Sequence, residues 1–280
     1  MSASPDDGSR FAIASDLLAD EGAGGWANLG CWPTDGREAG YVEACRELAL
    51  RVGKAAALTA GDRVLDVGCG RGASLHLWPQ AFAVQAVTGI EHQLACVEAI
   101  RAQPPAALAG MHAGRFDRLP LPDGVPAHGF DAVVCVDAAY HADSLAGFAA
   151  HAAAGLRTGG RLAFTTLTLA PAGEAASGWQ RRRLRTLLAL AGVPAASLAA
   201  PTALADDLTR QGFANVGISH LNAEVLGGFA AFAARRGPAL PWYRRLSPGW
   251  RKISLSADFC RYLQRSGLVD YSLVQATYIG

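Results

Sequence analysis

The sequence predicts an α/β fold in which a mostly parallel sheet carries helices on both faces. Three observations lead there. The run Val64-Leu65-Asp66-Val67-Gly68-Cys69-Gly70-Arg71-Gly72-Ala73 is a short apolar, β-branched segment ending in three glycines spaced two apart. That is the pattern of a buried strand, a tight turn and a helix N-terminus. Strand-like and helix-like segments then alternate as far as residue 167, a rhythm that gives a parallel sheet covered on both sides. The chain has 280 residues, enough to bury a sizeable core.

Taken in order, residues 11–22 and 38–58 have helical spacing, the second with Val42, Cys45, Leu48, Ala49 and Val52 on one face. Between them lies the glycine- and aromatic-rich loop 24–32. Strand 1 is 62–67, and strand 2 runs from Val84 to Ile90, ending at Glu91. A helix from about His92 to Gln103 follows, stopped by Pro104-Pro105. A third strand is expected near Met111 to Phe116, then a loop from Asp117 to Gly129. Strand 4 is Phe130 to Val136, its helix about Ser144 to Leu156, and Gly159-Gly160 is the turn feeding strand 5, Arg161 to Leu167. Beyond that the rhythm breaks. Residues 171–200 read as helical and arginine-rich, Thr202 to Gln211 as a capped helix and Val216 to His220 as a strand. Residues 222–266 are a helical excursion before a last strand, Leu268 to Tyr278.

Apolar residues make up 51% of the chain and mean hydropathy is +0.16, with alanine supplying much of both. No apolar run approaches the ~18 residues of a membrane span. Met1 to Arg10 is polar and acidic, without a signal-peptide core, and reads as a frayed leader. Six cysteines show neither CxxC nor any other metal-like spacing, so no metal site is expected and a reduced, cytoplasmic protein is. The net charge of +1 conceals an asymmetry. Residues 1–170 carry 12 basic and 18 acidic side chains, whereas residues 171–280 carry 13 basic and 6 acidic.

In open α/β sheets, ligands bind where strands end at the switch in strand order. Asp66 to Gly72, Glu91, Phe116 and Val136-Asp137 all fall at such ends. The glycines allow a sharp turn and close approach by a ligand. Gly68, Gly70 and Ala73 also satisfy a dinucleotide pattern, but Asp66 would repel a pyrophosphate and suits a ligand with a cationic amino-acid end. Glu91 closes strand 2, where a carboxylate can accept from both hydroxyls of a ribose; the plainer alternative is a helix cap. His141, just after strand 4, can take a proton near neutral pH, or can simply pack and bond to a carbonyl. No phosphate loop and no Ser-His-Asp arrangement is present.

These motifs resemble the class I S-adenosylmethionine-dependent methyltransferases, small-molecule branch, whose first motif is an acidic residue followed by GxGxG. Thr88-Gly89-Ile90-Glu91 resembles the second motif. Leu119-Pro120-Leu121-Pro122-Asp123 with Gly129-Phe130-Asp131-Ala132-Val133-Val134 is similar to "LPFPD…SFDAVV", Leu156-Arg157-Thr158-Gly159-Gly160-Arg161-Leu162 to "LKPGGRL", and Asn28-Leu29-Gly30-Cys31-Trp32 to "NLGYW". Relatives act in ubiquinone and menaquinone synthesis, sterol and tocopherol methylation and antibiotic-sugar methylation. The resemblance implies a Rossmann-like, mostly parallel seven-stranded sheet with the last strand antiparallel, and helical lid insertions. It implies a lid segment 1–58, a donor-binding core 59–170, and a region 171–280 of cap insertions plus the last two strands. The implied cofactor is S-adenosylmethionine, with its site on Asp66, Gly68, Cys69, Gly70, Gly72, Glu91, His92, Arg115, Phe116, Val136 and Asp137, and on Tyr41 and Trp32 of the lid. His141 and Tyr140 are the implied catalytic pair. Two departures stand out. The family's "GDA" is replaced by Gly114-Arg115-Phe116, which moves the adenine contact to backbone and Phe116, and Cys31 replaces the tyrosine of "GYW".

The reading is therefore methyl transfer to a small, partly apolar acceptor, first as O-methylation, with C-methylation of an isoprenoid, lipid-like or anionic acceptor second. A S-adenosylmethionine-binding protein without methyl transfer and a nicotinamide dehydrogenase are the other classes. The cap interleaves Arg181-Arg182-Arg183, Arg185, Arg235-Arg236, Arg244-Arg245 and Arg251-Lys252 with Trp179, Trp242, Tyr243 and Trp250. Such a surface is compatible with an anionic acceptor, peripheral membrane contact, an acidic carrier protein, or a plain solvated face. If arginines recognise the acceptor, some must point inward toward His141. No nucleic acid partner is expected, and the protein is expected to be a monomer or homodimer.

Overall fold

Seven strands form the sheet: β1 Arg63–Val67, β2 Ala86–Glu91, β3 Leu108–Ala113, β4 Phe130–Cys135, β5 Leu156–Leu169, β6 Phe213–His220 and β7 Val269–Tyr278. Their order is β3-β2-β1-β4-β5-β7-β6. The first five pair in parallel, and β7 runs antiparallel to both neighbours. The structure, a computed structural model, describes residues 14–20 and 23–280. Among the described residues, eight helices of two turns or more flank the sheet: α1 Tyr41–Ala55, α2 Ala73–Phe82, α3 Leu94–Ala102, α4 Leu145–Gly155, α5 Gly178–Leu190, α6 Pro201–Arg210, α7 Gly228–Ala239 and α8 Pro248–Ser266.

The two-residue period of a strand sorts side chains between two cores. Val64 belongs to the cluster that holds Val52 of α1 and Trp78 of α2. Leu65 and Val67 belong to the opposite cluster, with Phe148 of α4 and Leu204 and Leu208 of α6. Asp66 shares the face of Val64, so its carboxylate is carried under α2 rather than into solvent. The chain builds outward from β1 to β3 and then returns to β4 and β5 on the other side. That reversal opens a crevice between the carboxyl ends of β1 and β4. No helix among the described residues is long and apolar enough to cross a membrane.

Several boundaries differ from those the sequence predicts. Of the expected helix 11–22, the described residues form only a three-residue turn, Ser15–Leu17; residues 11–13, 21–22 and the expected leader Met1–Arg10 lie outside the described residues. β3 lies three residues earlier than expected. β5 begins at Leu156, so Gly159-Gly160 is an irregularity inside the strand instead of a turn before it: Phe130 pairs with Leu156, and the register then slips to Ala132 with Arg161. The helical stretch 171–200 is broken into the turn Pro171–Glu174 and α5, which starts at a capping box built by Ser177 and Gln180. α6 starts with Pro201 at its first position and has no side-chain cap, so Thr202 is not a capping residue.

Candidate active site

A cavity of about 580 Å³ opens at the carboxyl ends of β1, β2 and β4 and runs under α5 and α8. That volume lies within the usual range for small-molecule sites, roughly 300–1,000 Å³. One half is polar and is built by the loop after β1. Gly68, Gly70 and Gly72 all have positive φ, at 73°, 56° and 85°, a backbone that favours glycine. A Cβ on Gly68 would meet Cβ of Ala138 at 2.8 Å, whereas one on Gly70 would meet nothing within 4 Å, because that position faces the cavity. Gly72 does not line the cavity. A Cβ there would press on Ile100 at 3.0 Å, so its role is to let α2 start against α3.

Glu91 stands at the end of β2 in the cavity wall and is 3% exposed. Gly70 N–H donates to its Oε2 at 2.9 Å and Gln93 N–H to its Oε1 at 2.8 Å, and His92 Nδ1 lies 2.9 Å from Oε1. Burial alone would raise its pKa; the His92 ring and the two N–H groups outweigh burial and hold the carboxyl below its ordinary range. Asp66, 1% exposed, accepts from the Trp78 indole at 2.7 Å. Here burial prevails and pushes the carboxyl up to about 6, despite hydrogen bonds from Ser74 and Trp78.

Cys69, His92, Phe116 and Val136 also line the cavity. Phe116 is held edge-on by Phe148, ring centroids 6.1 Å apart. Arg115 lines it too, but its guanidinium is engaged by Asp117, at 2.9 and 2.6 Å, and by Asp143 at 2.9 Å. Asp117, buried beside it, accepts from Arg115 and from Asp143 N–H. These ion pairs fix the loop between β3 and β4 and hold Arg115 in the cavity wall, where the sequence places it. Tyr41 and Trp32, expected on the ligand, stand behind the wall. The Tyr41 hydroxyl donates to Asn28 C=O at 2.9 Å, and Trp32 donates to Leu29 C=O at 2.8 Å while its ring stacks on Phe232. They brace the segment Gly25 to Leu29, which is itself cavity wall.

After β4 the backbone enters the left-handed region at Asp137, φ 57°. Its carboxylate gathers groups remote in sequence. Oδ2 accepts from Leu29 N–H at 2.7 Å, and Oδ1 accepts from the hydroxyls of Tyr140 at 2.8 Å and Tyr271 at 2.6 Å. Asp137 N–H donates to Thr165 Oγ1 at 2.7 Å. Burial lifts the Asp137 carboxyl to about 6 against those three donors. The Tyr140 hydroxyl is thus committed to Asp137, and its pKa is pushed well above the ordinary value by burial and by that carboxylate. A base role for Tyr140 does not fit. Tyr271 and Thr165, from β7 and β5, had no local signature that would mark them.

His141 faces the cavity from the next turn. Its Nδ1 lies 3.0 Å from Gly192 C=O. A carbonyl only accepts, so Nδ1 carries the hydrogen and Nε2 is the basic nitrogen of the neutral ring. Burial lowers its pKa below the usual histidine value, which keeps the ring neutral at physiological pH. Beyond His141 the cavity turns apolar, walled by Leu187 and Val193 at α5 and by Leu255, Phe259 and Leu263 of α8. Among the described residues, none of the cap arginines lines it; Arg236 binds Leu17 C=O and Asp20, and Arg183 lies over the rings of Trp179 and Tyr262. The inward-pointing arginines expected for an acceptor site are absent from its wall.

Residues 38–218 match the family described as "Methyltransferase domain". Over 269 residues, 92% of this chain and 83% of the relative, the sequence is 28% identical to erythromycin 3''-O-methyltransferase of Saccharopolyspora erythraea. The fold is similar to that of geranyl diphosphate C-methyltransferase from Streptomyces coelicolor A3(2), with a TM-score of 0.71, 16% identity and 99% of each chain covered. It is equally similar to the cyclase SpnF, with a TM-score of 0.70, 19% identity and 98% and 95% of the two chains covered.

Proposed function

Because the chain belongs to the methyltransferase-domain family, we propose that it moves a methyl group from S-adenosylmethionine to a hydroxyl of a small, mostly apolar metabolite. The observation that carries the choice of oxygen is His141. It is a neutral imidazole with its tautomer set by Gly192, and it lines the same cavity as the strand-end loops and the apolar side chains of α5 and α8. The donor supplies a methyl on a sulfonium sulfur; the C–S bond breaks toward sulfur as the O–C bond forms. His141 Nε2 receives the hydroxyl proton. Gly70 leaves open space for the donor, Glu91 offers carboxylate oxygens to its ribose, and Phe116 offers an aromatic face to its adenine. The segment Gly25 to Leu29 and α5 shield the reaction from water. The relative named for O-methylation supports the choice, and six thiols without a disulfide match a cytoplasmic setting.

The test is calorimetry followed by product analysis. S-adenosylmethionine and its demethylated product are expected to bind in the micromolar range and NAD not to bind. Incubation with methyl-labelled donor and a panel of apolar hydroxylated acceptors is expected to give a product heavier by one CH2, with the label on oxygen. NAD binding without donor binding overturns the reading. Label on carbon instead moves the protein to the second reading, C-methylation, which the apolar acceptor half favours.

A further inference from the structure

The part of the cavity wall supplied by α5, the loop after it and α8 is mostly apolar, with Ser256 and Lys252 as polar side chains of α8. Lys252, on the first turns of α8, lines it between Leu255 and the loop that follows α5. Among the described residues that wall the cavity beyond His141, it is the one side chain with a full charge. The other charged groups of the wall, Asp66, Arg71, Glu91, Arg115, Asp117 and Asp137, belong to the ends of the strands and the loops after them. Composition adds an independent observation. The chain uses arginine 23 times and lysine twice, at Lys54 and Lys252. Lys54 is exposed on α1, while Lys252 is half-buried at the cavity. The neighbouring Arg251 is exposed and is not part of the cavity wall.

Lysine differs from arginine in ways that matter at such a place. Its ammonium is compact, on a flexible stem, with three N–H donors that can serve a single oxygen from several directions. The methylene stem packs along apolar surface while the head reaches a polar partner. Partial burial lowers the Lys252 pKa below the ordinary ammonium value, the mark of a cation that has given up some water. Leu190 and Leu255, which line the same cavity, are 76% and 70% exposed and offer apolar surface to the body of a ligand.

We propose that Lys252 recognises the acceptor, and that the acceptor is an apolar molecule bearing an anionic oxygen, such as a carboxylate or an ionised phenol or enol. The inference rests on the methyl-acceptor reading of this cavity and gives it a substrate class. It replaces the cap arginines, which stand outside the wall, with one lysine inside it.

A matched pair of fluorescent probes tests it: 8-anilinonaphthalene-1-sulfonate, an apolar anion, and N-phenyl-1-naphthylamine, the same scaffold without the sulfonate. Both are titrated into protein saturated with the demethylated donor product. The wild type is expected to bind the anion at least about tenfold more tightly than the neutral probe, since a charge-assisted bond is involved. Lys252→Met is expected to abolish that preference while leaving the neutral probe within about twofold, and Lys252→Gln, which keeps the surface polar, to do the same. Arg244→Gln with Arg245→Gln is expected to change neither. The proposal is overturned if the wild type shows no preference, if both lysine variants keep it, or if the arginine variant is the one that removes it. Calorimetry with the demethylated product on each variant separates the two readings. Loss of that binding in the wild type sinks the methyltransferase reading, whereas normal binding without an anion preference sinks this one alone.

Discussion

Replacing Asp137 by asparagine isolates the electrostatic cost of a buried carboxylate that three donors surround. The ordinary carboxyl value is 3.8 and the folded one about 6. At about 1.36 kcal/mol per pH unit, the two-unit gap amounts to roughly 3 kcal/mol. Asp137 keeps some exposure on the side facing the cavity, which reduces the expected effect to about 2 kcal/mol. The sign follows from which state holds the proton more tightly. Below pH ~4 both states are protonated and the charge costs nothing; between ~4 and 6 the unfolded chain ionises first, and wild-type stability falls; above 6 the full cost is present. Asparagine carries no charge, so it is free of this loss. Its amide can still accept from Leu29 N–H, and the Tyr140 and Tyr271 hydroxyls can rotate to accept from its NH2. About half of that cost is already present at pH 4.5, so the difference between the proteins is expected to shift in favour of Asp137→Asn by about 1 kcal/mol from pH 4.5 to 7.5. Asp66 titrates in the same direction but is common to both proteins and cancels. Urea unfolding of both proteins at four pH values within that range measures the difference. A flat difference, within about 0.5 kcal/mol, refutes the assigned carboxylate and its desolvation.

Glu91→Ala leaves the Gly70 and Gln93 N–H groups without their acceptor and removes the carboxylate from the donor site, so S-adenosylmethionine affinity is expected to fall at least about tenfold by calorimetry. An unchanged affinity makes Glu91 a helix cap only. His141→Ala is expected to lower kcat by about 10²-fold with donor binding intact. The wild-type profile should lose activity as pH falls below 6.5, because the lowered pKa places protonation there, and the variant should lack that limb; a shared limb excludes His141 as the base. Gly70→Ala and Gly72→Ala should separate ligand space from packing: the first puts a methyl into the open cavity and should mainly weaken donor binding, the second presses on Ile100 and should mainly lower Tm. Equal effects on both quantities contradict the assignment.

The sheet was legible wherever local pattern and tertiary demand coincide. β1 announces itself because a fully buried parallel strand must be apolar on both faces and must end where the glycines begin. β3 was misplaced because its first residues, Leu108-Ala109-Gly110, carry little apolar signal, while Met111 and Phe116 draw the eye downstream; Phe116 belongs to the loop and the cavity. The start of β5 was hidden for a related reason. Two glycines look like a turn, but pairing with β4 tolerates them as a slip in register. Ser15–Leu17 shows the converse error, since helical spacing over 11–22 yields only one tight turn among the described residues.

The site divides along the same line. Residues consecutive at a strand end, such as Asp66 to Gly70, Glu91 and His141, were found from sequence because a single chain segment delivers them to the crevice. The Asp137 cluster was not, since its donors come from Leu29, Tyr140 and Tyr271, up to 134 positions away. Nothing local distinguishes Tyr271 from any other aromatic residue in a buried strand. The consequence is functional. Tyr140 sits beside His141 in sequence and appeared to share its chemistry, yet the two rings, 4.5 Å apart, have opposite commitments. Tyr140 donates a hydrogen bond to a buried carboxylate and fixes the turn, while the Gly192 carbonyl fixes the hydrogen of His141 on Nδ1. Tyr140→Phe therefore removes one of two hydroxyls on Asp137 Oδ1 without touching the imidazole. Its kcat–pH profile should keep the wild-type acid limb, and a lost limb would assign that limb to the Tyr140–Asp137 pair instead of His141.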